Sequence, residues 1–420
     1  MNERNDAGIY GEGYLIKLPE FDFLPLMLVM ASPKPFVPWK APEPAGQTES
    51  RSGFAQTNVN QAQASEFPNG PSVNELLRRR EWQKFILTQT HDHFVQTRTA
   101  LASRLDFKLD NGWPTKILRN ECNRKLGTVL IQPPRHILDG MLEAGSSETD
   151  VQVQAQQMAQ TCSPLTADVI DLLIFLLLDP KNSLGASFSI DAILAARNLQ
   201  KHRGGKNANG EAYRGGYTKE QRQDVAQQIE LLSWVQVRYT NAIVYRRNQP
   251  KELKQGNAEP LFKFSEIPVD KKRTRKGQHW SVEPFETLQE ILAGGFVGYL
   301  PLQVMQYNPA KRAAEKAIAR HLFARWRRAH KQGVKDRRGY SGGGLLVQDL
   351  LNIAGISVER HHPGRAEERL SEALIQLMDD GLIKERGCQC INKLAPGWVS
   401  RWLQDRIDIH PTDEFVELRH

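Results

Sequence analysis

"SPLTADVIDLLIFLLLDPKNSLGASFSIDAILAARNL", Ser163–Leu199, sets the plan of the chain. Its first part is apolar at almost every position, has the length of a core helix and not of a membrane span, and is stopped by Pro180. "SFS" leaves room for only a short strand. "IDAILAARNLQ" then returns to helical spacing, with Ile190, Ile193, Leu194 and Leu199 on one face and Ser189 placed to cap the start. The stretch therefore predicts a buried helix, a short strand and an amphipathic helix in that order.

Downstream lies "KHRGGKNANGEAYRGGYTKEQR", Lys201–Arg222, a basic, glycine-rich loop with almost nothing apolar in it. "TKEQRQDVAQQIELLSW" follows as a helix over 218–234, because Thr218 and Gln221 make a capping box and Val225, Ile229 and Leu232 fall at i, i+4 and i+7. "VQVRYTNAIVY" and "LFKFSEI" read as the strands of a ribbon, joined by the polar "RRNQPKELKQGNAEP". Helix, strand, helix, helix, ribbon is the order of a winged helix. The C-terminal third repeats it. Asn308 and Pro309 open a helix whose apolar face is Ala314, Ile318, Leu322 and Trp326, and "LLVQDLLNIAG" is a second helix closed by Gly355. "RAEERLSEALIQLMDDG" is a third, with Leu370, Ala373, Leu374 and Leu377 inward and Gly381 after it, and "LIKERGCQCINKLAPG" supplies strand, wing and return.

The expected fold class is mainly α with small β-wings (α+β), as two winged-helix domains in tandem. The expected divisions are a Pro-rich, disordered segment over 1–73, a helical lead-in over 74–160, a first winged helix over 161–300 and a second over 308–420. In the lead-in, Leu77, Trp82, Phe85, Ile86, Phe94, Val95, Leu101 and Leu105 fall at helical spacings, as one long helix or two shorter ones. The apolar "FDFLPLMLVMASP" near the start carries acidic residues and Pro25, and fits neither a signal peptide nor a membrane span.

Lys and Arg number 56 against 48 Asp and Glu, a net +8 that raises the odds of a polyanionic partner. Four cysteines, scattered at 122, 162, 388 and 390, make no disulfide framework and fit a reducing cytoplasm. Cys388 and Cys390 with His361 and His362 lack the paired spacing of a structural zinc site, so neither metal nor cofactor is expected. "HDHFVQ" reads as surface histidines, since His91 and His93 at i, i+2 on a helix would point apart. No phosphate-binding loop, zinc-protease motif, nucleophile elbow or dinucleotide fingerprint occurs in a fitting context, which argues against an enzyme.

In a winged helix the third helix enters the major groove and its first turns meet base edges. That assigns Lys219, Arg222, Gln223 and Gln227 to base reading in the first unit, with Arg365 and Arg369 in the second. Lys201, Arg203, Lys206 and Arg214, carried on glycines, would hold phosphates ahead of the reading helix. Arg246, Arg247, Lys251 and Lys254 in the ribbon add to them, as do Lys271, Lys272, Arg273, Arg275 and Lys276 in "DKKRTRKGQHW". Glu367, Glu368, Glu372, Asp379 and Asp380 repel phosphate, so the second unit is divided between DNA and a protein partner.

On "LTADVIDLLIFLLL" leading into "FSIDAILAARNL", and on the "ERLSEALIQLMDDGLI" junction, the chain resembles the tandem winged-helix plasmid replication initiators over about residues 75 to 412. The long glycine-rich loop before Thr218 departs from their pattern. The resemblance implies double-stranded DNA bound at repeated origin sites in the cytoplasm, no chemistry of its own, monomer–dimer exchange through the first winged helix, and recruitment of host helicase and primase. A transcriptional regulator with the same reading heads is the alternative function.

Overall fold

A computed structural model describes residues 84–120, 123–199, 205–206, 212–213, 216–246, 249–253, 256–267, 279–331, 344–359, 361–387 and 395–417. All of them fall in one compact unit that mixes helices and strands. The expectation of disorder over 1–73 lies outside the described residues.

The chain runs through β1 (Phe85–Gln89), α1 (Asp92–Leu101), β2 (Lys108–Asp110), β3 (Trp113–Arg119), β4 (Lys125–Ile131), α2 (Arg135–Glu143), α3 (Glu148–Gln160) and α4 (Pro164–Leu177). Next come β5 (Ala186–Ser189), α5 (Ile190–Ala196), the small hairpin β6 (Gly205–Lys206) and β7 (Ala212–Tyr213), α6 (Lys219–Trp234) and β8 (Val235–Tyr239). A second hairpin, β9 (Ile243–Arg246) and β10 (Gln249–Glu252), precedes β11 (Glu259–Pro260), β12 (Phe262–Ile267), β13 (His279–Pro284), α7 (Glu286–Ala293), β14 (Val297–Pro301) and α8 (Leu302–Gln306). The last part holds α9 (Ala313–Lys331), β15 (Leu345–Leu346), α10 (Val347–Ala354), α11 (Pro363–Asp379), β16 (Ile383–Gly387), α12 (Trp398–Gln404), β17 (Arg406–Pro411) and α13 (Asp413–Glu417).

Helix α4 is the axle. Every residue from Leu165 to Leu177 is buried, the Ser163 N–H donates to Thr166 Oγ1 at 3.0 Å at its start, and the chain leaves it just before Pro180. None of the described helices is by itself long and apolar enough to cross a membrane. Around α4 and α9 the chain draws one topology twice. After α4, strand β5 leads to α5 and α6, and β12 and β13 return to give a sheet of order β12-β13-β5. After α9, strand β15 leads to α10 and α11, and β16 and β17 return to give a sheet of order β15-β17-β16. In both sheets the last strand lies between the other two.

Several expectations are corrected. The lead-in is not all helical: β1 pairs antiparallel with β14 from Phe85↔Pro301 to Gln89↔Val297, so partner choice overrides a helix-like spacing. Lys108–Ile131 is a β-meander turning at Asn111 and Gly112, with φ of 50° and 84°, the left-handed pair that a two-residue hairpin demands. β8 does not form a ribbon with β12. It joins a five-stranded sheet of order β11-β8-β4-β3-β2, and the partner of β12 is β13. The return strand of the second unit is "RIDIHP", because Trp398–Gln404 forms a helix before it. Asn308 Oδ1 accepts from the N–H groups of Ala310 and Lys311 at 2.9 and 3.1 Å, capping a turn one step ahead of α9 rather than the helix itself.

The histidine pair is buried, not on the surface. Helix α1 begins at Asp92, so His91 sits in extended backbone before it, and the two rings meet at 5.1 Å between centroids. His91 and His93 bind the carbonyls of Ile243 and Thr240, each at 2.9 Å. Among the described residues no group of three or more His, Cys, Asp and Glu could hold a metal; Cys388 and Cys390 lie outside them.

Two carboxylates of α4, Asp168 and Asp171, are fully buried. Asp171 accepts from Arg98 of α1, from Thr88 Oγ1 of β1 at 2.9 Å and from Arg320 Nε of α9 at 2.7 Å. Asp168 accepts from Arg197 Nε at 3.0 Å and from Arg320, and pairs with Lys316 Nζ at 3.0 Å. Lys316 also donates to the carbonyls of Val304, Met305 and Tyr307 at 2.8, 3.0 and 2.9 Å. Burial alone would raise the Asp171 carboxyl, but Arg98 and Arg320 outweigh it and hold it below the usual carboxylate range. The cluster fastens α9, the opening helix of the second repeat, to α4, the opening helix of the first. Beside it Phe415 of α13 meets Phe323 edge-on at 4.6 Å and Trp326 at 5.8 Å.

Removing one partner leaves the others charged and buried, so Arg320→Met is expected to cost about 3–5 kcal/mol in urea unfolding. A loss under about 1 kcal/mol would contradict the role given to the cluster. Burial, with Arg325 adding to it, pushes the His321 imidazole of α9 down to about 4. The unfolded chain takes that proton near pH 6.5 and the fold does not, so stability falls as pH drops from about 6.5 towards 4. This group's share is on the order of 3 kcal/mol, and unfolding of His321→Gln across that window should show a flatter slope.

Candidate nucleic-acid interface

Strand β5 delivers the chain to Ser189, whose Oγ accepts from the Ala192 N–H at 3.2 Å and starts α5. Helix α6 starts with the expected capping box: Gln221 N–H to Thr218 Oγ1 at 3.1 Å, and Thr218 N–H to Gln221 Oε1 at 2.9 Å. Its inner face, Val225, Gln228, Ile229, Leu231, Leu232 and Trp234, is buried. Gln228 is satisfied there by Thr166 Oγ1 of α4 at 2.5 Å. These contacts fix how α6 rolls about its axis, and they leave Lys219, Gln223 and Gln227 exposed at i, i+4 and i+8. Glu220 and Asp224 form the neighbouring exposed stripe.

Arg222 has a different task from the one its position suggested. Its Nε and Nη2 donate to Asp191 Oδ1 and Oδ2 of α5 at 2.7 and 3.0 Å, a two-point clamp that closes α5 on α6 and turns the guanidinium away from the exposed stripe. That hydrogen bonding lifts the Arg222 guanidinium above its ordinary value. Arg197, at the end of α5, is likewise spent on Asp168. The sequence signal for Asp191 is an acid in the first turn of α5, ahead of a helix that carries Arg222.

Of the expected phosphate contacts, Lys201, Arg203, Arg214, Arg247, Lys254, Lys271, Lys272, Arg273, Arg275 and Lys276 lie outside the described residues. Lys206 is in β6, whose hairpin pairs Lys206 with Ala212. Arg246 pairs with Gln249 in the β9–β10 hairpin, and exposed Lys251 meets Glu290 of α7 at 3.2 Å. That hairpin therefore leans on α7 and is no part of the β12–β13 ribbon. In the second unit α11 buries Ala366, Leu370, Ala373, Leu374 and Leu377. Arg365 and Arg369 stand exposed on its first turns beside Glu368 and Glu372, and Arg365 lies 3.6 Å from Glu359. Further along the helix Ile375 and Met378 are 44% and 36% exposed among acidic neighbours, so the polar character of the face changes midway.

No protein-family model, curated protein or solved structure matches the chain. The clamp itself is testable. A double-mutant cycle on Asp191→Ala and Arg222→Ala, read by urea unfolding, should return a coupling of up to about 1 kcal/mol for this part-exposed pair. Strictly additive losses would mean that the two side chains do not meet.

Proposed function

We propose that the chain is a sequence-specific double-stranded DNA-binding protein, a replication initiator of the plasmid type that holds repeated sites through two winged helices. The observation that carries the reading is the topology drawn twice: helix, strand, helix, helix, then two strands, with the last strand in the middle of each sheet. In each unit a third helix, α6 or α11, buries one face and leaves a polar face clear. On α6 that face is Lys219, Gln223 and Gln227; glutamine pairs with adenine edges and lysine with guanine. Glu220 and Asp224 beside them suit the amino group of cytosine. On α11 the first turns offer Arg365 and Arg369. The net +8 supplies the non-specific attraction to phosphate that such a protein needs.

The test is fluorescence-anisotropy binding to DNA flanking the gene and to random duplex across a salt series. Specific binding should persist at physiological salt while random binding falls steeply. Gln223→Ala should lose about 1–3 kcal/mol at one or two base pairs and leave random binding unchanged. Equal loss on both DNAs would contradict base reading by α6. Maintenance of a plasmid carrying the gene and its flanking repeats separates an initiator from a regulator.

A further inference from the structure

The five-stranded sheet has two faces with different fates. Toward α1 it buries Leu118, Val129, Ile131, Val237 and Tyr239, and Lys116 reaches the carbonyls of Ala100 and Leu105 on that side at 3.4 and 3.0 Å. The opposite face holds Trp113, Thr115, Ile117 and Arg119 along β3, since alternate residues of a strand share a side. At one end of it Trp113 and Thr115 are buried. Cover then stops: Ile117 is 49% exposed and Arg119 is exposed.

The uncovered end gathers cations. Ile117 pairs with Thr128, and Thr128 pairs with exposed Arg238 on β8, so these three form one row. Arg119 stands opposite Lys125 across a register shift in β4, and both are exposed. Lys108, opposite Thr115 on β2, adds a further exposed cation to the same face. Like charges directly across a ladder destabilise a sheet, and strands lie only about 5 Å apart. Among the described residues none of these four cations forms an ion pair; Arg119 binds only the Asn123 carbonyl, at 2.9 Å. An exposed carboxylate, Asp110, shares this face opposite Trp113, two residues along β2 from Lys108 and at the far end from Arg119 and Lys125. The four cations lie on four adjacent strands, β2, β3, β4 and β8, in three successive rows: Lys108 beside Thr115, Arg238 in the row of Ile117, and Arg119 with Lys125.

We infer that this half-face is a second phosphate-binding surface, which takes the backbone of duplex DNA outside the site read by α6 and α11. It rests on the reading of the chain as a duplex-binding protein. Lys108, Arg119, Lys125 and Arg238 contact phosphates, and Ile117 packs against sugar. Such contacts are indifferent to base sequence and strongly sensitive to salt.

The test compares full-length wild type, Arg119→Ala/Lys125→Ala/Arg238→Ala and Lys219→Ala/Gln223→Ala by anisotropy on 40-base-pair flanking and random duplexes over a salt series. Thermal unfolding of each variant confirms that it folds. The sheet variant should weaken both duplexes alike, by about ten- to a hundredfold at low salt, and lower the salt slope by about 2–3. The α6 variant should lose preference with a smaller change of slope. If the sheet variant keeps the wild-type slope, the surface is not a phosphate site, whatever α6 does. If only the sheet variant matters, the α6 reading fails and this one stands. Wild type without duplex affinity, or a loss confined to phosphatidylglycerol vesicles or polyglutamate, overturns the inference.

Discussion

Two carboxylates on one apolar helix govern the rest of the structure. Asp168 and Asp171 sit three residues apart on α4 with no access to water, and a buried ionised carboxylate survives only when cations and hydrogen bonds surround it. The cations come from three places distant in sequence: Arg98 on α1, Arg197 at the end of α5, and Lys316 with Arg320 on α9. To satisfy α4 the chain must bring all three together. The same requirement brings the second repeat's first helix against the first repeat's core. Apolar packing at that junction would tolerate sliding; directional bonds to fixed carboxylates specify one arrangement.

That arrangement has consequences for the two polar helices, α6 and α11. Each is rolled by its own buried face, and Arg222 adds a clamp from α6 to Asp191 on α5. These two helices are thus held by packing and, on α6, by a part-exposed ion pair to the neighbouring helix. On the reading proposed here, a pair of such heads on one rigid body suits DNA sites repeated at a set spacing. The bare sheet half-face would lengthen the contact with backbone and add no sequence preference.

Much of the local structure was legible in the residues. The apolar run of α4, the Ser189 cap, the Thr218–Gln221 box, and Gly355 and Gly381 at helix ends are short-range signals, and each behaves as its chemistry requires. Pairing partners were not legible. "VQVRY" and "LFKFSEI" are both good strands, but which sheet each joins depends on β4 and β13, far off in sequence. Phe85–Gln89 has a spacing that suits helix and strand alike, and β14 decides it. Two signals were present and unread. Asn111-Gly112 marks a tight hairpin, and two acids three apart in a wholly apolar helix demand buried cations. Arg222 shows the reverse error: a basic residue in the first turns of an exposed polar helix looks free until Asp191 is placed beside it.

The most direct measurement is hydroxyl-radical footprinting of the full-length protein on the DNA flanking its gene, with and without five base pairs inserted between the protected segments. Two heads fixed on one body should protect two segments, and half a helical turn of extra DNA should abolish their joint protection. A footprint of one segment, or two segments indifferent to the insertion, would contradict a rigid pair of reading heads.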